Sequence, residues 1–350
     1  MTKHGAATPR AAIIGYGMAG RSIHARLLRE AGWQVTAVLV NNDDRRGDAQ
    51  SDWPGLTLVR SVQELIAVKE QFDVVVVASP TGLHFEHASE LLRAGIATVV
   101  DKPLGIDAQQ CQELVDLAAE LEGHLTVFQN RRWDSEQLTL KQLIADDELG
   151  QVHTFERRWE RWRPVPLARW KEQDPVAGGL LLDLGAHLVD SAVELFGPVV
   201  RVHAQIRNLT TPTPDDVFIS LEHGGENRPT VFSRLQAGAL VGAPGPRTRV
   251  LGNKGSFVVT SYENEASPFS QLDTLIGNGS VDHEGWLSHG AQTTAVAAAS
   301  GGHADFYRAV ASWLTGTGPV PVDPRDCVYT AQILDAAQLS AAEHRVISMP

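Results

Sequence analysis

The chain has 350 residues, of which 43% are apolar and 21% charged, the make-up of a globular protein of roughly two domains. Lys and Arg number 30 against 42 Asp and Glu, a formal charge of −12, which argues against a surface that coats nucleic acid or an anionic membrane. Cys111 and Cys327 cannot build a disulfide framework or a cysteine-rich zinc site, and no run approaches the ~20 apolar residues of a bilayer span. The first ten residues are polar and lack an apolar signal core, so a cytoplasmic protein is expected.

From the N-terminus the sequence alternates strand-like and helix-like segments. Strands are expected at residues 11–14, 35–40, 56–59, 73–78, 96–100 and 125–128. Helical patterns fall between them, at about 23–32, 62–68, 84–94 and 108–122. Residues 41–52 are polar and read as an interruption, with 41–48 open to reading as a solvated loop. Continuous apolar strands alternating with helices predict a doubly wound parallel sheet covered on both faces.

After about Asn130 the period changes to two. Residues 152–161, 199–208, 217–221, 230–236, 247–251 and 256–260 alternate polar with apolar, as strands of a sheet with one packed face do. Helices are expected at 138–145, 180–196, 305–314 and 326–343, and surface loops at 238–246 and 277–302. The expected domains are 1–129, which binds a nucleotide, and 130–350, of α+β type with a large, open, mostly antiparallel sheet.

Gly15-Tyr16-Gly17-Met18-Ala19-Gly20 matches G-x-G-x-x-G between a strand and a helix. In that setting the first glycine makes the tight turn, the second lets a pyrophosphate approach the backbone, and the third lets the helix pack on the sheet. The helix N-terminus offers unpaired N–H groups to phosphate. The second strand ends in Asn41-Asn42, with Arg45 shortly after, where a carboxylate would select an unphosphorylated ribose. Asn can donate to a 2′-phosphate and Arg can pair with it, so NADP is favoured over NAD.

Asp101-Lys102-Pro103 falls at the carboxyl end of the fifth strand, the edge at which doubly wound sheets bind ligands. Asp183 and His187, four apart in an apolar helical stretch, share a face, and a carboxylate can orient an imidazole and raise its basicity. The alternative is a surface i, i+4 pair. No histidine or cysteine spacing suggests a metal site.

Together GYGMAG at 15–20, ASPTGLH at 78–84, DKP at 101–103 and AGGLLLDLGAH at 177–187 resemble the Gfo/Idh/MocA oxidoreductases, over residues 11 to about 340. Asp101 stands where that family usually has Glu. Residues 127–140 and 155–164 look most like its NADP-dependent scyllo-inositol dehydrogenases. The resemblance implies a Rossmann domain and a catalytic group of Lys102, Asp183 and His187. It implies that Ser79, Pro80, Thr81, His84 and Asp101 border the cofactor, that Asn130 and Arg131 lie toward the nicotinamide, and that Trp170 and Lys171 reach the dinucleotide. Lys171 replaces the family's Arg and loses its bidentate fork. Arg161 and Arg163, with Arg131, would shape the substrate side, although outward positions on an alternating strand explain that pair equally well.

The activity so implied is hydride transfer between NADP or NAD and a secondary alcohol or ketone of a polyol or sugar. The resemblance also implies a homodimer or homotetramer formed through the C-terminal sheet. Two other functions occur on this fold: dinucleotide-sensing regulators, which tend to lack the lysine and the Asp/His pair, and glycosidases that use a tightly held NAD.

Overall fold

The computed structural model describes residues 8–225, 229–260 and 283–350, so most of the N-terminal tail and residues 277–282 of the second expected loop lie outside the described residues. The chain divides into two units, Met1–Asn130 with Gly302–Val328, and Arg131–Gly301 with Tyr329–Pro350.

The first unit is built on six parallel strands: β1 (Arg10–Ile14), β2 (Gln34–Leu39), β3 (Thr57–Val59), β4 (Val74–Val77), β5 (Thr98–Asp101) and β6 (Leu125–Phe128). Their order is β3-β2-β1-β4-β5-β6, all pairs parallel. The order reverses at β1 and β4, which opens a crevice at their carboxyl ends. The Val74–Val77 run is fully buried, as a strand covered on both faces must be. Each such side chain removed from water contributes about 1.5–3 kcal/mol.

Residues 41–52 are not a loop. Asp43–Asp52 is a helix whose N-cap, Asn42, accepts the Arg45 N–H at 3.0 Å. It has almost no apolar face to announce it: Ala49 is its one buried residue. Asp43 and Asp44 in its first turn favour the positive end of the helix dipole.

The segment Gly302–Val328 belongs to this unit rather than to the second, where sequence periodicity places it. Its helix, Ala304–Leu314, sets Phe306 and Tyr307 against Phe128, with ring centroids 5.0 and 5.7 Å away. Trp33 Nε1 donates to the Tyr307 carbonyl at 3.1 Å, and Thr126 Oγ1 donates to the Val322 carbonyl at 2.8 Å. These rings cover the edge strand β6 and the first helices, which would otherwise present apolar surface to water.

The second unit is a nine-stranded sheet among the described residues. Its strands are β7 (Val152–Glu160), β8 (Val199–Arg207), β9 (Asp216–His223), β10 (Val231–Gly238), β11 (Thr248–Gly252), β12 (Ser256–Val259), β13 (Gly285–His289), β14 (Gln292–Val296) and β15 (Ile347–Ser348). The order is β14-β13-β12-β11-β7-β10-β9-β8-β15, antiparallel except for the β7/β10 pair. One face packs Phe155, Ile219, Leu235, Val250 and Phe257 against the helices Ser135–Ala145 and Ala186–Phe196. On the opposite face Glu156 gathers Arg158, Arg234 and Arg249 at 2.7–3.1 Å. The loop expected at 277–302 contains the β13/β14 hairpin, turned at Gly290 with φ +63°. Polar Thr293 and Thr294 hide this edge strand from a hydropathy reading, although β-branched residues suit one.

Candidate active site

In the first unit the glycine turn follows β1. Gly15 takes φ +89°, and a Cβ there would lie 2.7 Å from the Ala78 carbonyl oxygen. A Cβ on Gly20 would lie 1.9 Å from the Gly15 carbonyl oxygen, so backbone fills that space. Helix follows at once, through Met18–Ala25 and Arg26–Glu30, with Met18 exposed and Ala19 partly exposed at its start. Over Gly17 the space is open except for Arg45, whose Nη1 lies 3.4 Å from the Cβ position. This cradle fits a dinucleotide pyrophosphate: a turn without side chains, a fresh helix N-terminus, and one cation beside it. Tyr16 contributes only backbone. Its ring is buried, its hydroxyl donates to Asp52 at 3.1 Å, and burial with the Asp52 charge pushes the phenol up.

At the end of β2, Asn41, Asn42 and Arg45 are exposed. The Asn41 carbonyl accepts from Arg60 at 2.9 Å, and Asp43 pairs with Arg60 at 2.8 Å.

The loops after β4 and β5 are joined by His84. Its Nδ1 lies 2.8 Å from the Pro103 carbonyl oxygen and its Nε2 2.9 Å from that of Ser79. Burial pushes this imidazole below its usual pKa. His84 therefore binds loop to loop and is 1% exposed, which leaves little of it for a cofactor. Ser79 Oγ lies 3.0 Å from His87 Nδ1; Pro80 is exposed and Thr81 buried at the start of the next helix.

Asp101 closes β5. Its Oδ1 accepts the Lys102 N–H at 2.8 Å, ahead of a cis Lys102–Pro103 bond. Its Oδ2 faces His24 Nε2 at 3.5 Å, long for a hydrogen bond and mainly an electrostatic contact. Burial works to raise the Asp101 pKa, but His24, then Lys102 and His84, outweigh it and hold the group at about 2. Asn130, at the end of the unit, has Nδ2 3.3 Å from His303 Nδ1.

In the second unit Trp159 is the hub. The Arg131, Arg247 and Arg161 guanidinium carbons lie 4.5, 4.9 and 5.6 Å from its ring centroid, and His187 stacks on it at 6.2 Å. Arg131 is held by Asp134 at 3.1 Å. Asp183 and His187 lie where a π-helical turn, Leu181–Gly185, passes into the helix Ala186–Phe196. Asp190, the next residue of that stripe, is taken up by Arg132 through two contacts of 2.6 and 2.9 Å. Lys171 Nζ sits 2.5 Å from Asp183 Oδ1, and Trp170 stands beside it, 37% exposed. Arg161, Arg163, Lys171, Asp183 and Thr213 line one pocket. Arg161 and Arg163 are therefore gathered with Asp183 rather than scattered along an outward face. Lys102 belongs to the first unit, Asp183 and His187 to the second.

His24 and Tyr307 escaped the sequence reading. His24 Nδ1 lies 2.5 Å from the Tyr307 hydroxyl, and both residues are fully buried. The one local signal is a histidine on the apolar stripe of Ile23, Leu27 and Leu28; its partner is 283 positions away. Among the described residues no cluster of His, Cys, Asp or Glu could hold a metal, and no helix is long and apolar enough to cross a membrane.

Residues 9–129 match the family model described as an oxidoreductase family with an NAD-binding Rossmann fold, and residues 141–349 match its C-terminal alpha/beta domain. The chain belongs to this Gfo/Idh/MocA family of oxidoreductases. It is 28% identical to the scyllo-inositol 2-dehydrogenase (NADP(+)) IolW of Bacillus subtilis, over 98% of this chain and 96% of that one. It is 30% identical to the uncharacterized oxidoreductase YdgJ of Escherichia coli, over 96% and 97% of the two chains. The solved structure of the oxidoreductase yvaA from Bacillus subtilis superposes with a TM-score of 0.85 at 27% identity, covering 98% of this chain and 99% of that one.

Proposed function

We propose that this chain is a dehydrogenase that interconverts a secondary alcohol and a ketone on a polyol or sugar of the inositol kind, with NADP(H) as its preferred dinucleotide. The observation that carries the reading is Lys102. Asp101 holds its backbone at the carboxyl end of β5, in the unit that carries the glycine cradle. The similarity to the NADP-dependent scyllo-inositol dehydrogenase supports both the substrate class and the dinucleotide.

Gly15, Gly17 and Gly20 would hold the pyrophosphate, and Arg45 with Asn41 and Asn42 the adenosine ribose and its 2′-phosphate. When bound, the nicotinamide supplies or accepts the hydride. Lys102 hydrogen-bonds the reacting oxygen and stabilises the negative charge that builds on it as its proton leaves. His187 receives that proton from the hydroxyl as the carbonyl forms, and Asp183 orients the imidazole. Arg161 and Arg163 would meet the remaining hydroxyls of the substrate.

The test is thermal unfolding with NADPH and with NADH, then nicotinamide absorbance with a panel of inositols and sugars. NADPH gives the larger stabilisation, and an inositol or sugar is oxidised. Lys102→Met loses turnover by about 10²-fold or more while NADPH still binds. Near-normal turnover of that variant would remove Lys102 from the chemistry.

A further inference from the structure

His24, Tyr307 and Asp101 form a buried line that ends on the lysine loop. The Tyr307 hydroxyl lies 2.5 Å from His24 Nδ1, His24 Nε2 faces Asp101 Oδ2 at 3.5 Å, and Asp101 Oδ1 accepts the Lys102 N–H at 2.8 Å. The two members farthest from the lysine have no exposed surface: His24 and Tyr307 are both 0% exposed. Burying an imidazole and a phenol is costly unless each polar atom has a partner. Here each contact has a direction. Across the 3.5 Å gap an ionised Asp101, which only accepts, electrostatically favours the proton on Nε2, and the Tyr307 hydroxyl then donates to Nδ1. Phe128 packs on the imidazole at 4.5 Å and locks its plane. Tyr307 is itself anchored by the bond from Trp33 Nε1 to its carbonyl.

We propose that His24 and Tyr307 are positioning residues for Lys102, acting through Asp101: they fix the carboxylate that holds the lysine backbone and keep its charge beside the ammonium. The importance given to Lys102 rests on the function proposed above. This line also gives the return of Gly302–Val328 to the first unit a purpose beyond packing, because it delivers the Tyr307 hydroxyl.

The experiment uses the full chain and needs no substrate. Trace acetylation with acetic anhydride, mapped by mass spectrometry, measures Lys102 reactivity against exposed Lys69 in the same molecule. Tyr307→Phe keeps the ring packing and the Trp33 bond and removes only the hydroxyl. The Lys102 to Lys69 ratio rises about fivefold, because a carboxylate free to turn away no longer holds the proton on the amine. NADPH affinity stays within about twofold, as for a loop that the phosphate cradle does not use. Asp101→Asn shows the same rise, and the double variant shows no more than Asp101→Asn alone, since one path is cut twice. Nitrogen-15 spectra of the wild type show His24 with a proton on Nε2, and Tyr307→Phe disturbs that signal. An unchanged labelling ratio in Tyr307→Phe, or full additivity in the double variant, overturns the proposal and leaves the line a packing feature. A wild type that oxidises none of the polyols would sink the proposed reaction, yet the labelling ratio would still decide this one.

Discussion

Lys171 Nζ and Asp183 Oδ1 are 2.5 Å apart, which commits the lysine ammonium to a carboxylate of the proposed catalytic group. An arginine there could reach a second partner with its fork, whereas a lysine is a single point charge. Lys171→Met is therefore expected to lower kcat about tenfold with the KM for NADPH within about twofold, and Lys171→Arg to keep most of the activity. Initial rates with the dinucleotide varied decide it. A raised KM with kcat intact would return Lys171 to cofactor binding.

Gly20 and Gly47 give opposite expectations for one substitution. A methyl at Gly20 meets a backbone oxygen at 1.9 Å, which no rotamer change can relieve. Gly20→Ala should cost about 3 kcal/mol or more and abolish NADPH binding. Gly47, inside the helix Asp43–Asp52, has nothing within 4 Å of its Cβ position. Gly47→Ala should stabilise by roughly 0.5–1 kcal/mol. Calorimetric Tm values with and without NADPH check both.

Glu136 is buried between Arg157 at 2.9 Å and Arg247 at 2.6 Å and also accepts from Thr248. Glu136→Gln would leave two guanidinium groups without their anion, an expected loss of about 3–5 kcal/mol in urea unfolding. A loss below about 1 kcal/mol would show that Asp134, 3.9 Å from Arg247, suffices.

Acid should act through the same groups. Burial opposes ionisation of Glu136 and Asp101, yet their cationic and polar partners hold each at about 2, below the ordinary values near 4. A carboxylate depressed on folding stabilises fully above its unfolded pKa and loses that contribution as pH falls toward its folded one. The unfolding free energy should thus be level in this respect above about pH 5 and fall steeply between about pH 4 and pH 2. Urea titrations across that range measure the slope, and Asp101→Asn should make it shallower.

Arg45 stands against Gly17 with its guanidinium 3.4 Å from the Cβ position. If it meets a 2′-phosphate, Arg45→Ala should weaken NADPH about tenfold or more and NADH no more than about twofold, by fluorescence titration. Equal losses for both would assign it to the pyrophosphate.

The first sheet was legible because its strands are short and mostly apolar, most plainly at Val74–Val77. The glycine motif was legible because Gly15 and Gly20 admit nothing larger and Gly17 leaves the space above the turn open. Asp43–Asp52 was not, since a helix that buries little beyond Ala49 has no periodic face. The β13/β14 hairpin was missed for a similar reason, its outer strand being polar. The line through His24 could not be read at all: its partners, Asp101 and Tyr307, come together only once the sheet is formed and a segment some 280 residues downstream returns to it.

That return governs how the protein can be dissected. A fragment ending at residue 130 would expose Phe128 and Trp33 and leave the imidazole of His24 without its phenol. Such a truncation invites aggregation, however complete its nucleotide motif looks on paper. A soluble first half calls for a graft in which residues 302–328 are spliced behind residue 130 by a flexible linker.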